Sequence, residues 1–140
     1  MKVKYPRLTV DVVILYRNKF VFIKRGNEPY RGRYALPGGF VEAGERVEEA
    51  AIREAREETG LDIRLIKLLG VYSDPDRDPR GHVVSICYLA EGTGELKPST
   101  DACEVLTCSL DAAMKLNLAF DHDKILRDAI AELRRIGKYF

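Results

Sequence analysis

The 140-residue sequence has no tryptophan, only two histidines and two methionines, and only three cysteines. Cys87, Cys103 and Cys108 are odd in number and form no C-x-x-C pair, so neither a disulfide framework nor a cysteine zinc site organises the chain. No apolar run approaches the roughly 18 residues that a membrane span requires. The opening, MKVKYPRLTVDVVILYRNK, has the basic start of a secretory leader, but Asp11 interrupts its apolar stretch and no small-residue cleavage site follows. Alternation there points to a strand, and a cytoplasmic location is expected. Charge of one sign is also missing: 23 basic and 22 acidic side chains leave a net charge of +1. No global field draws the chain to nucleic acid or an anionic membrane, and neither is expected as a partner.

What is there reads as one domain over residues 1–140, without repeats or linkers. LTVDVVILY (8–16) and FVFIKR (20–25) are β-branched and separated by Arg17, Asn18 and Lys19, which predicts a hairpin. Residues 27–45 carry Pro29, Gly32, Pro37, Gly38, Gly39 and Gly44 and read as loop with a short strand at most. A helix is predicted from Arg46 to Thr59, with Val47, Ala51 and Ala55 facing inward and Gly60 at the C-cap. Strands follow at 63–72, 83–89 and 104–110, a short helix at 111–116, and a helix from Asp121 to Gly137. The last helix has Ile125, Ala129, Leu133 and Ile136 as its apolar stripe and Asp121 as a candidate cap. Without strict βαβ alternation, the favoured class is α/β with a mixed sheet flanked by helices.

Within the first helix, REAREETG (53–60) raises a charge problem. Helical spacing sets Glu54, Glu57 and Glu58 in one small region, where like charges repel. Glu49 and Arg53 have the favourable i, i+4 order, whereas Glu54 and Glu58 gain no basic partner on their own helix by that spacing. Carboxylates gathered in this way suit a hard divalent ion such as Mg²⁺, which also binds phosphate oxygens.

From Gly39 to Leu61 the spacing is G-x5-E-x7-R-E-U-x-E-E-x-G-U, with Gly39, Glu45, Arg53, Glu54, Ala55, Glu57, Glu58, Gly60 and Leu61 in the marked places. Seven fixed positions, each matched by chance at roughly 6 to 7 %, make an accidental match on the order of one in a million. This segment resembles the signature box of the Nudix hydrolase family. Ala55 stands where larger aliphatics are frequent in that family. The resemblance implies a Nudix-type α/β/α sandwich and Mg²⁺-dependent hydrolysis, with Mn²⁺ as a substitute, of a nucleoside diphosphate linked to another moiety. It implies Glu57 and Glu58 as metal ligands and Glu54 as a further ligand or the base. The Gly38 carbonyl is a further implied ligand, and Gly39 lets the backbone come close to the ligand. Arg53 and Glu45 are expected to orient helix and loop through an ion pair, and Glu104 to supply an extra carboxylate from a later loop. Asp101 is a weaker candidate for that role.

Substrate choice rests on VYSDPDRDPRGH (71–82), where Pro75 and Pro79 stiffen a loop expected to present Arg77 and Arg80 to phosphate. It resembles the loop of the ADP-ribose pyrophosphatase branch, although the marker proline's place is taken by Arg77. Of Lys24 and Arg25, alternation should point one inward to substrate phosphate. His82 and His122 read as structural residues. Without tryptophan, a nucleobase would stack on Tyr5, Tyr16, Tyr34 or Tyr72, and Tyr34 occupies a position where the family often has tryptophan. The leading expectation is hydrolysis of ADP-ribose to AMP and ribose 5-phosphate. The alternatives are a nucleotide-pool enzyme acting on oxidised or ordinary NTPs or on dinucleoside polyphosphates, and a non-catalytic nucleotide sensor. A homodimer packing or exchanging N-terminal strands fits the family pattern.

Overall fold

The computed structural model describes residues 4–97 and 104–138, so the expectations for Cys103 and Asp101 fall outside the described residues. The chain runs β1 (Arg7–Tyr16), β2 (Lys19–Lys24), β3 (Tyr34–Ala35), β4 (Gly38–Phe40), α1 (Val47–Thr59), β5 (Asp62–Tyr72), β6 (Val83–Thr93), β7 (Glu104–Cys108), α2 (Leu110–Ala113) and α3 (His122–Arg135). The predicted hairpin forms with a tighter turn than expected. Tyr16 pairs Lys19, and Arg17 and Asn18 both take positive φ, at 52° and 61°, the two-residue geometry that matches strand twist. The loop at 27–45 holds two short strands, not one at most.

One mixed sheet results: β6 lies parallel to β1, and the other pairings are antiparallel. Its irregularity positions the site. Phe20 pairs both Leu15 and Cys108, so β1 and β7 lie on opposite edges of β2; Ile23 and Lys24 pair both β3 and β7, which puts β3 on the edge that β1 occupies nearer the hairpin. By the same reasoning, β4 shares with β2 the edge of β1 opposite β6. The strands β1 and β2 therefore pair only beside their turn and then splay, with β3 closing on one and β4 on the other. The wedge between them becomes a cleft.

Alternation along β1 divides the core. Val10, Val12, Ile14 and Tyr16 meet Ala50, Ala51 and Ala55 of α1, whose small side chains let the helix backbone come close to the sheet. Val13 faces the other layer, with Leu118, Ile125, Ala129 and Leu133. The Ile125–Ala129–Leu133 stripe is buried as predicted, but Ile136 is 36 % exposed because α3 ends at Arg135. Gly60 at φ 79° closes α1, its N–H donating to the Arg56 carbonyl. Among the described residues, no helix is long and apolar enough to cross a membrane.

Candidate functional site

The glycine turn before α1 and the carboxylates on α1 are fitted to each other. A Cβ on Gly39 would lie 2.5 Å from the Glu54 carboxyl carbon, and one on Gly38 would lie 2.5 Å from an Asp11 oxygen and 2.1 Å from the Val10 carbonyl oxygen. Only glycine admits this approach at either position. The Pro37 carbonyl accepts from Val12 N–H, and Val41 N–H donates to the Leu8 carbonyl. With both bonds directed at β1, strand alternation turns the N–H and C=O of Gly38 the other way. There the Gly38 N–H donates to Glu58 Oε1 at 2.7 Å.

Arg53 organises this wall. Its guanidinium donates to Glu45 at 2.7 and 3.1 Å, to Glu54 at 2.8 Å, to Glu57 at 3.2 Å and to the Phe40 carbonyl at 3.1 Å. The expected Arg53–Glu45 pair is present. The expectation that Glu54 has no basic partner on its helix fails, because Arg53 reaches the adjacent residue. The Glu49–Arg53 pairing is also replaced: Glu49 accepts from the Arg46 N–H at the helix start, an orphan donor that a carboxylate satisfies well.

Even so, the wall is short of positive charge. Desolvation pushes the Glu58 carboxyl up to about 8, reinforced by the charges of Glu54 and Asp11 and opposed by the Gly38 N–H and Arg25. Desolvation also raises Glu54, against the bond from Arg53. Glu54, Glu57, Glu58 and the Gly38 carbonyl are hard oxygen donors within this short stretch of structure, and their chemistry suits a divalent cation. As the side chains stand, with Arg53 drawing Glu54 and Glu57 together, no three acidic, histidine or cysteine groups among the described residues form a finished metal cage. Glu57, at 57 % side-chain exposure, is free to turn toward one.

The same cleft is lined by Arg25 and Arg80, together with Asp11, Asp78, Phe40, Phe120 and His122. Of the two basic residues at the end of β2 and just after it, Arg25 lines the cleft, its Nε donating to the Pro29 carbonyl at 2.6 Å and its guanidinium stacked 5.0 Å from the Phe120 ring centre. Lys24 pairs with Glu104 across β2 and β7 and does not line the cleft. Arg80 forms a two-pronged pair with buried Asp78, at 3.1 and 2.8 Å, and lies near the rings of Phe40 and Phe120.

Several sequence expectations need correction. Arg77 is not displayed on a surface loop; its side chain is 4 % exposed and forks onto Asp121 at 2.9 and 2.7 Å. That bond occupies Asp121, which consequently makes no side-chain cap to α3. Glu104 is exposed at the start of β7 and accepts from the Tyr34 hydroxyl at 3.3 Å, so neither joins the α1 carboxylates. Tyr72 bonds Asp128 at 2.7 Å and Tyr16 bonds the Gly94 carbonyl at 2.6 Å, both outside the cleft. Tyr5 is 77 % exposed. His82 is a structural residue as expected, 3.0 Å from the Ser73 carbonyl.

The sequence reading gave no site role to Asp11, Asp78, Phe40, Phe120 or His122. For Asp11 a signal existed: it is an acid within an apolar strand, on the same alternating face as Val13. The others carry none, since they come from β4, two separate loops and a helix start that only the fold brings together.

A family model for the NUDIX domain matches residues 5–129. An ADP-ribose pyrophosphatase of Methanocaldococcus jannaschii is 54 % identical over 125 residues, covering 89 % of this chain and 73 % of the relative. The ADPR responsive transcriptional repressor NtrR of Acinetobacter baylyi is 33 % identical over 96 % of this chain, which spans 57 % of that protein's length. The NUDIX domain of Shewanella oneidensis NrtR, solved in complex with ADP ribose, superposes with a TM-score of 0.86 at 29 % identity, over 94 % of this chain and 90 % of that one. The splayed mixed sheet, the box helix and these matches agree, and the chain belongs to the NUDIX domain family.

Proposed function

We propose that the protein is a Nudix pyrophosphohydrolase that cleaves ADP-ribose to AMP and ribose 5-phosphate. The observation that carries this reading is one cleft in which Glu58, Gly38 and Gly39 face Arg25 and Arg80. An acid wall in need of a cation and a basic wall in reach of phosphate oxygens together suit a diphosphate ester. The similarity to an ADP-ribose pyrophosphatase supports the substrate.

Glu57, Glu58 and the Gly38 carbonyl would hold Mg²⁺, with Mn²⁺ as a substitute. A divalent cation there supplies neutralisation of charge on the phosphate oxygens and acidification of water. Glu54 takes the proton from the attacking water, a task that its desolvated, raised carboxyl suits. Arg53 keeps Glu54 aimed without contacting substrate. Water then bonds to one phosphorus as the bridging oxygen leaves with the other phosphate. Arg25 and Arg80 orient the diphosphate, and Phe40 and Phe120 offer ring faces for the remainder of the substrate.

The test is phosphate-coupled hydrolysis of ADP-ribose, NADH, diadenosine polyphosphates, GDP-sugars and 8-oxo-dGTP, with Mg²⁺ or EDTA, by wild type and Glu57→Gln. ADP-ribose should lead the panel, and both EDTA and the substitution should abolish turnover. A different leading substrate removes the ADP-ribose assignment and leaves the chemistry. A second reading, a non-catalytic ADP-ribose sensor, is favoured by the similarity to a repressor. Binding of ADP-ribose without turnover would select it. The complete glutamate set weighs against it, since a pure binder gains nothing from gathering carboxylates around too few cations.

A further inference from the structure

A cluster of buried polar residues forms the floor of the cleft, and the box chemistry does not use it. Asp11, Ser85, Arg77, Asp78 and His122 are all 9 % exposed or less. Burying such groups is costly, and an ion pair replaced by apolar residues often leaves a protein no less stable. Stability alone therefore does not explain them.

His122 shows what they hold. Its Nδ1 accepts from the Leu36 backbone N–H at 3.0 Å. A ring nitrogen that accepts carries no proton, so the imidazole is the neutral form protonated at Nε2. That Nε2–H lies 3.5 Å from Asp11 Oδ1. Asp11 in turn takes the Ser85 hydroxyl at 2.5 Å on Oδ2 and has Arg77 at 4.0 Å. Oδ1 of Asp11 is one of the atoms that a Gly38 Cβ would strike, after the Val10 carbonyl oxygen, and the Gly38 N–H is bonded to Glu58. The chain of contacts runs from the start of α3, through His122, to the backbone at Leu36 and the face of Gly38, and ends at a box carboxylate on α1. Leu36 is two residues before Gly38, and between them only Pro37 intervenes.

We propose that His122 is a positioning residue: by accepting from Leu36 and facing Asp11, it fixes the Leu36–Gly38 turn at the depth where the Gly38 carbonyl and Glu58 address one divalent cation. This rests on the reading of Glu57, Glu58 and Gly38 as the cation site. His122 touches neither the reacting atoms nor the cation. Removing its acceptor frees the turn, and outer supports of this kind typically change metal affinity about 10- to 100-fold.

The two ring nitrogens can be tested separately, because an asparagine amide oxygen reaches the place of Nδ1 and a glutamine amide reaches that of Nε2. Mn²⁺ titration of the substrate-free protein, followed by electron paramagnetic resonance, gives the cation Kd for wild type, His122→Asn and His122→Gln. The expected result is a Kd raised about tenfold in His122→Gln and less than about threefold in His122→Asn. In ADP-ribose hydrolysis at saturating Mn²⁺, KM should stay within about twofold of wild type in both. If His122→Gln does not fold, His122→Phe, which keeps a ring in the buried site and removes both nitrogens, replaces it with the same expected loss. Equal effects of the two substitutions, no effect of either, or a wild type that binds no Mn²⁺ would overturn the proposal. If the Kd split holds while wild type hydrolyses no ADP-ribose, the positioning role stands and the substrate assignment falls.

Discussion

The two walls of the cleft handle charge in opposite ways. On the α1 wall, Glu42, Glu45, Glu54 and Glu57 all lie within 4.0 Å of one cation, Arg53, and Glu58 is supported by the Gly38 N–H and the charge of Arg25. On the facing wall the arginines are supplied with acids of their own: Arg77 with Asp121 and Arg80 with Asp78. Arg25 differs, since the acceptor for its Nε is a backbone carbonyl; desolvation and the neighbouring Arg80 lower its pKa. One wall is thus built with a deficit that a ligand completes. The other is largely complete before anything binds, and its arginines divide into those that hold the fold and those that face the opening. Burial separates them: Arg77 is enclosed, whereas the Arg80 side chain is 36 % exposed.

That division predicts different failures for neighbouring arginines. Arg77→Met should cost the most, about 3 kcal/mol of unfolding free energy, because it breaks a two-pronged ion pair whose guanidinium is 4 % exposed and takes the nearest cation from buried Asp11. Urea denaturation measures this, and a loss below about 1 kcal/mol would break the distinction between the two arginines. Gly39→Ala tests the opposite wall. The new methyl must displace the Glu54 carboxyl, so kcat for ADP-ribose should fall about 100-fold while the melting temperature changes little. Arg80→Ala should raise KM about tenfold and leave kcat near wild type, as expected for a group that binds substrate and transition state alike; it should also lower stability, because the Asp78 side chain, 2 % exposed, keeps only the backbone N–H of residue 80.

The smallest effect concerns a half-buried pair outside the cleft, Lys67 and Glu132. Bonds from Arg135 and Lys67 hold the Glu132 carboxyl at about 2, below its ordinary 4.5. A carboxyl depressed in the folded state contributes stability that is complete above pH 4.5 and is lost as pH falls toward 2. The stability difference between wild type and Lys67→Met should therefore be small at pH 6 and vanish by pH 2. A difference that persists at pH 2 would mean that Lys67 acts through packing.

The carboxylate wall was readable in the sequence because its parts are local. Three glutamates three and four residues apart must share a helix face, and Gly60 must end that helix, whatever surrounds it. The alternation of β1 and the Ile125–Ala129–Leu133 stripe are local for the same reason. The roles of Arg77 and Arg80 were not readable. Both stand in one proline-stiffened loop, and nothing in their neighbours along the chain tells which turns inward to an acid 44 residues away.

The sequence by itself determined the box helix and the carboxylate cluster, since each follows from periodicity or spacing within a short segment; the resemblance of the box pointed to the family, and the order of elements along the chain to the mixed α/β class. Only the tertiary structure decided that β1 and β2 splay into a cleft, that Arg25 and not Lys24 enters it, and that Asp11 and His122 support its glycine turn. Those outcomes depend on pairings between distant segments, and a side chain's partner across a sheet or under a helix is fixed by packing, not by its neighbours in the chain.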